Sequence, residues 1–163
     1  MALAYVARFS TTSAKLETYL ARKLRERGWD EESGPMPDPA GISARFVELG
    51  YIDDAAYARA KASGLLRRGY GPRRIAQALN AAGITAEDRA ESAPDAIGER
   101  LAALTMARKR RFGPFGTGPV DRKQREKQIA AMLRAGHRLD NACTLIDAAS
   151  CEDAEQWADQ CED

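Results

Sequence analysis

Few residues of this chain have the types and spacing that catalysis requires. Asp53 and Asp54 are adjacent, and paired carboxylates are suited to general acid–base catalysis or to Mg²⁺ binding. Both also stand at the expected start of a helix, where free N–H groups and the helix dipole favour acidic residues. We therefore interpret the pair as helix-capping residues, and the sequence predicts no catalytic residue.

Neither a nucleotide pocket nor a metal centre is predicted. The segment 69–71 (Gly-Tyr-Gly) resembles part of a phosphate-binding loop, but the sequence has no Gly-x-x-x-x-Gly-Lys-Ser/Thr pattern. The single histidine is His137, and the three cysteines show no C-x-x-C spacing; they are Cys143, Cys151 and Cys161. These residues match no familiar four-ligand zinc pattern and no nucleophile–base set. We expect no cofactor, no metal and no enzymatic activity.

The cysteines and the residues at the start of the chain indicate the cellular compartment of the protein. An odd number of cysteines without a signal-peptide pattern favours reduced thiols in the cytoplasm. The apolar residues near the start are interrupted by Arg8 and fall far short of the roughly 18 residues that a membrane span needs. We therefore expect a cytoplasmic protein that has no contact with membranes.

Charge is distributed very unevenly. The formal net charge is only +1, yet residues 59–74 carry six Lys or Arg and no acid, and residues 108–134 carry nine against two. The last 25 residues carry eight acids and no Lys or Arg. Because solvated helix faces usually mix both signs, the basic segments predict a surface for a polyanion or an acidic protein, with ordinary solubilising charge as the other interpretation. The candidate partner-binding residues are Arg67, Arg68, Arg73, Arg74, Arg108, Lys109, Arg110 and Arg111.

The elements that must position these residues follow a repeated pattern. Four times an apolar residue is followed four positions later by glycine. The next residue is an aromatic residue, His or Ile, and an acid stands three positions after that residue. The glycine supplies the left-handed turn after a helix, and the acid lies in the first turn of the next helix. Positive φ is expected at Gly50, Gly83 and Gly136. Four copies indicate a repeat of short helices.

Apolar residues at helical spacing, with a Thr85-x-x-Asp88 capping box for a short sixth helix, predict nine helices and no strand. The Gly- and Pro-rich segments 34–41 and 112–120 are predicted loops. Leu79 lies on an apolar stripe and is expected to be buried. The predicted fold class is all-α, an extended array of three tandem three-helix repeats. Its parts are a first unit at 1–50, a second at 51–93, a third at 94–149 and an acidic C-terminal tail at 150–163.

The middle of the chain resembles the central signature of the RecX family. The similar residues are Gly50-Tyr51-Ile52-Asp53-Asp54-x-x-Tyr57-Ala58, then Arg67-Arg68-Gly69-Tyr70-Gly71-Pro72-x-Arg74-Ile75-x-x-x-Leu79-x-x-x-Gly83-Ile84. Weaker similarity extends to Ala7-Arg8-Phe9-Ser10 on one side and to Arg110-Arg111-Phe112-Gly113 on the other. In the third unit His137 stands where the family usually has tyrosine.

The resemblance implies a non-enzymatic regulator of the RecA recombinase in homologous recombination, DNA repair and the SOS response. Such a protein binds the RecA–DNA filament and modulates its ATPase and strand-exchange activities, with inhibition as the expected sign. The implied partner is therefore the RecA filament, with weak nucleic-acid contact and a monomeric free state. Arginine suits this role because its planar fork pairs with carboxylates and phosphates alike.

A second function remains open, that of a stand-alone helix-turn-helix-like DNA-binding protein. Three-helix units with a basic second helix resemble such DNA readers. In this chain, however, residues 75–79 of that helix are mostly apolar, which leaves Gln77 and Arg74 as the main candidates for reading bases. We expect weak, largely non-specific affinity for DNA from so small a polar surface.

Overall fold

The computed structural model describes residues 1–30, 32 and 34–160, and these contain ten α-helices and no β-strand. The helices are α1 (Ala2–Val6), α2 (Ser13–Arg27), α3 (Pro39–Glu48), α4 (Asp54–Arg67), α5 (Pro72–Ala81), α6 (Ala86–Glu91), α7 (Ala96–Arg110), α8 (Arg122–Arg134), α9 (Leu139–Ile146) and α10 (Cys151–Asp159). A short 3-10 helix, Gly113–Phe115, lies within the predicted loop 112–120. The all-α fold class is confirmed, and Cys161 lies outside the described residues.

The two adjacent aspartates act on different helices. Asp53 accepts a hydrogen bond from the N–H of Ala56 at 2.7 Å, which confirms its predicted role at the start of α4. Asp54 accepts hydrogen bonds from the hydroxyl of Ser13 and from its N–H, the latter at 2.9 Å. Asp54 therefore serves the first turn of α2, a helix far from it in sequence, and both carboxylates have structural roles.

Helix α3 begins earlier than the sequence predicts. The segment 34–41 is a predicted loop, but residues from Pro39 onward are helical. Asp38 accepts hydrogen bonds from the N–H groups of Ala40 and Gly41, both at 3.0 Å. Pro39 occupies the first helical position, where its missing N–H leaves nothing unsatisfied. The end of this Pro-rich segment therefore starts a helix, and the loop prediction is wrong for residues 39–41.

The helices form two compact units. One consists of Met1–Arg59 and Leu79–Glu91, and the other of Ala60–Ala78 and the chain from Ser92 onward. In the first unit, Leu16, Leu20 and Ile52 form a buried apolar cluster. Leu79 in the same unit is 1% exposed, as its position on the apolar stripe predicts.

Among the described helices, α10 is the one missing from the nine that the sequence predicts. The hydroxyl of Ser150 accepts a hydrogen bond from the N–H of Asp153 at 3.0 Å, and the helix begins at Cys151. Ala154 and Ala158 are fully buried in the core of the second unit, to which half-buried Cys143 also packs. The described part of the acidic tail therefore belongs to a folded core. No described helix is long and apolar enough to span a membrane.

Candidate functional site

The turn between α4 and α5, residues 69–71, contacts the turn between α8 and α9. Four of the predicted partner-binding residues lie on either side of the first turn: Arg67, Arg68, Arg73 and Arg74. The N–H of Gly71 donates to the carbonyl of Ala135 at 2.9 Å, and the N–H of Arg73 donates to the carbonyl of Gly136 at 3.1 Å. A Cβ on Gly71 would overlap the backbone of Gly136 and His137. Only glycine permits this contact between two backbone turns.

His137 completes the contact between the two turns. The imidazole is 1% exposed, and its Nε2 lies 3.0 Å from the carbonyl oxygen of Gly69. Because a carbonyl only accepts, this geometry places the proton on Nε2. Burial lowers the pKa of His137, and the hydrogen bond to Gly69 opposes this effect. His137 is therefore a neutral packing residue, at the position where the sequence pattern places a ring after the helix-ending glycine.

All eight predicted partner-binding residues are exposed and belong to the second unit. We call this set the basic junction: Arg67, Arg68, Arg73, Arg74, Arg108, Lys109, Arg110 and Arg111. The Lys109 ammonium donates to the carbonyls of Arg67 and Arg68, both at 3.3 Å. It therefore stabilises the C-terminal end of α4, where a cation is favoured. The structure thus brings together two clusters that are about forty residues apart in the sequence.

The arginines around the 69–71 turn have only uncharged contacts. Arg67 donates from Nη1 to the hydroxyl of Ser63 at 2.7 Å, and Arg68 donates from Nε to the carbonyl of Gly64 at 3.2 Å. The Arg68 guanidinium also lies 5.8 Å from the ring centroid of Tyr70. Within the described part of the chain, no acid lies within ion-pair distance of Arg67, Arg68, Arg73, Arg74, Arg110 or Arg111.

Arg108 differs from the rest of the basic junction. It forms an ion pair with Glu155 on α10, and its guanidinium lies 5.8 Å from the ring centroid of Phe115. The sequence shows no acid close to this run of basic residues, yet in the folded chain Arg108 has an acidic partner. The opposing acid comes from the tail, 47 positions away, where local charge counting does not detect it.

A second ion pair of the same unit also escapes sequence analysis. Arg125 on α8 donates from Nε and Nη2 to the two carboxylate oxygens of Asp147, both at 2.5 Å. This paired hydrogen bonding lowers the pKa of Asp147. Because the two residues are 22 positions apart, only the folded chain shows that Arg125, like Arg108, is paired with an acid.

Known proteins are similar in sequence to this chain over most of its length. The family model for the second three-helix domain of RecX matches residues 53–92. The regulatory protein RecX of Myxococcus xanthus is 35% identical over 155 residues, covering 90% of this chain and 82% of that protein. The chain belongs to the RecX family. The match to the RecX domain includes the turn 69–71 and the arginines on both sides of it.

Two further RecX proteins show the same relation. RecX of Agrobacterium fabrum is 31% identical over 148 residues, covering 88% of this chain and 78% of that protein. RecX of Thermus thermophilus is 36% identical over 110 residues, covering 67% of this chain and 72% of that protein. These relatives are named regulatory proteins, and the similarity extends well beyond the central domain.

Proposed function

We propose that this RecX-family chain is a regulator of the RecA recombinase that binds the RecA–DNA filament through the basic junction. It inhibits the ATPase and strand-exchange activities of the filament in DNA repair and the SOS response. The observation that carries the proposal is the exposed basic junction itself, built around two backbone turns in contact. The regulatory names of its relatives support the same function.

The construction of the basic junction suits a charged partner. Its arginines extend from helix ends and turns whose backbone is fixed by hydrogen bonds. A surface that is already ordered loses less conformational entropy on binding, and more of the interaction energy then appears as affinity. Unpaired guanidinium groups also attract an acidic or phosphate-rich partner over long range, which raises the association rate.

The proposed regulation requires binding and no chemical step by this chain. A monomer that bridges neighbouring RecA protomers opposes any movement between them during ATP hydrolysis. A ligand shifts such an equilibrium only by its difference in affinity for the two states. Inhibition therefore means that the chain binds the less active arrangement of the filament more tightly.

The structure gives the DNA-reader alternative little support. Ile75 and Leu79 on α5 are each 1% exposed, so the exposed polar side chains of this helix are Arg73, Arg74, Gln77 and Asn80. The Oδ1 of Asn80 already accepts a hydrogen bond from Arg89 at 3.0 Å, which leaves two arginines and one glutamine as a small base-reading set. We expect free duplex DNA to bind weakly, without sequence preference, and to be released as salt rises because the contacts are to phosphates.

The proposal is tested by the DNA-dependent ATPase rate of the host recombinase, measured with and without this protein at constant salt. A saturable decrease in the rate supports the regulator. An unchanged rate, together with tight and sequence-selective binding of duplex DNA in competition assays, would establish the DNA reader instead.

A further inference from the structure

A groove in the first unit combines aromatic rings with cationic side chains. It lies along α1 and α2 and has a volume of about 730 Å³. Among the described residues that line it there is no Asp or Glu. Its principal side chains are three aromatic and three basic residues, Tyr5, Phe9, Tyr19, Arg8, Lys15 and Arg22. We call this the aromatic groove.

The rings of the aromatic groove form a series. Tyr5 and Tyr19 are stacked, with ring centroids 4.2 Å apart and planes 15° from parallel. Phe9 follows at 5.4 Å from Tyr5 and is tilted by 47°. Packing of α1 against α2 accounts for the half-buried tyrosines, but Phe9 remains 57% exposed. The series therefore ends in a ring with a face open to a ligand.

The basic residues surround these rings. The Arg22 guanidinium lies 5.8 Å from the Tyr19 ring centroid and also pairs with Glu26 at 3.2 Å. Lys15 donates from Nζ to the hydroxyl of Tyr57 at 2.8 Å. Arg8 has no acid within ion-pair distance among the described residues. Arg8 is therefore the cation most available to an anionic ligand.

We propose that the aromatic groove binds single-stranded nucleic acid, with an unpaired base on Phe9 and phosphates at Arg8 and Lys15. Proteins that bind single strands combine a positive groove with rings on which bases stack. Duplex DNA does not fit this chemistry, since its bases already stack on one another. An acidic peptide would use the cations and leave the open face of Phe9 without a partner. The inference does not depend on the proposed regulation of RecA.

The test is the fluorescence anisotropy of labelled oligothymidylate and oligouridylate, with the full chain at low and at moderate salt. Phe9→Ala should weaken binding of at least one of the two strands by about fivefold or more, the lower end of the range for one stacked base. Phe9→Trp should retain binding because it keeps the ring. Arg8→Gln should weaken binding and reduce its dependence on salt.

The matched control is Tyr51→Ala, since Tyr51 is a 56% exposed aromatic residue of the same unit that does not line the groove. It should bind as the wild type does. Circular dichroism establishes that each variant is folded. Wild-type affinity in folded Phe9→Ala would overturn the proposal. Equal affinity for duplex DNA would also overturn it, as would binding of labelled polyglutamate with no measurable binding of either single strand.

Discussion

The basic junction and the aromatic groove are both positively charged but are built for different ligands. In the basic junction, arginines surround two backbone turns in direct contact, and Tyr70 and Phe115 are covered by guanidinium groups. In the aromatic groove, the exposed ring of Phe9 stands beside the cations. The first arrangement suits phosphates or carboxylates, and the second also suits unpaired bases. Charge counting in the sequence does not separate the two.

The largest expected effect is the loss of the basic junction in Gly136→Ala. Gly136 has a φ of 93°, and a Cβ there would overlap the backbone nitrogen of Arg74. Strained backbone and overpacking together should lower the free energy of unfolding by about 2–5 kcal/mol, and regulation of RecA should weaken. Urea unfolding and the ATPase assay measure the two effects.

Gly50→Ala is the matched control in the first unit. Gly50 has a φ of 73°, but a Cβ there would meet nothing within 4 Å. The Cβ at this left-handed turn should lower the free energy of unfolding by only about 1–2 kcal/mol, and the variant should keep its regulatory activity. Equal losses of stability in the two variants would mean that the contact between turns does not stabilise the basic junction.

The buried titratable group His137 supports the turn at the centre of the basic junction through its contact with Gly69. Its pKa is lowered in the folded state, so the unfolded chain binds a proton more readily. This contribution to stability is complete above the ordinary histidine pKa of about 6.5 and decreases as pH falls below that value. His137→Gln keeps a donor for the Gly69 carbonyl and removes the titration. Its unfolding free energy should fall less than that of the wild type between about pH 7 and pH 5. Identical pH profiles in urea unfolding would contradict this role for His137.

The smallest effect is expected at the ion pair between α7 and α10. Arg108 and Glu155 are 50% and 44% exposed, so Glu155→Gln should change stability by less than about 1 kcal/mol. Removing the acid frees Arg108, and half-maximal inhibition of RecA should require less protein. Glu152→Gln, an exposed acid on the same helix that has no ion pair with Arg108, is the control. If both variants inhibit RecA half-maximally at a lower protein concentration, only the net charge of the chain determines inhibition.

Features that depend on residues close together in the chain are predictable from the sequence. Gly50, Gly83 and Gly136 all have positive φ, and Leu79 is buried, because a helix stripe and the turn after it are local patterns. The basic residues are likewise exposed where their local sequence predicts. The all-α class and the RecX resemblance rest on these same local features and are confirmed.

Contacts between distant segments were not predictable from such patterns. Ala154, Ala158 and the half-buried Trp157 attach α10 to its core, and two alanines with a single large apolar residue among acids carry little information about burial. The pairs Asp54–Ser13 and Arg108–Glu155 join residues more than forty positions apart. The stack of Tyr5 on Tyr19 depends on how α1 packs against α2. These contacts decide which charges remain free, and they arise only when the chain folds.

The central claim is that the basic junction is the surface that regulates RecA. The most direct test is the DNA-dependent ATPase of RecA with Arg73→Glu/Arg74→Glu, compared with Arg25→Glu/Arg27→Glu on α2, which makes the same change of net charge in the first unit. Both variants should keep wild-type helicity because exposed arginines add little to folding. We predict that the first loses most inhibition and the second retains it. Full inhibition by folded Arg73→Glu/Arg74→Glu would contradict the claim.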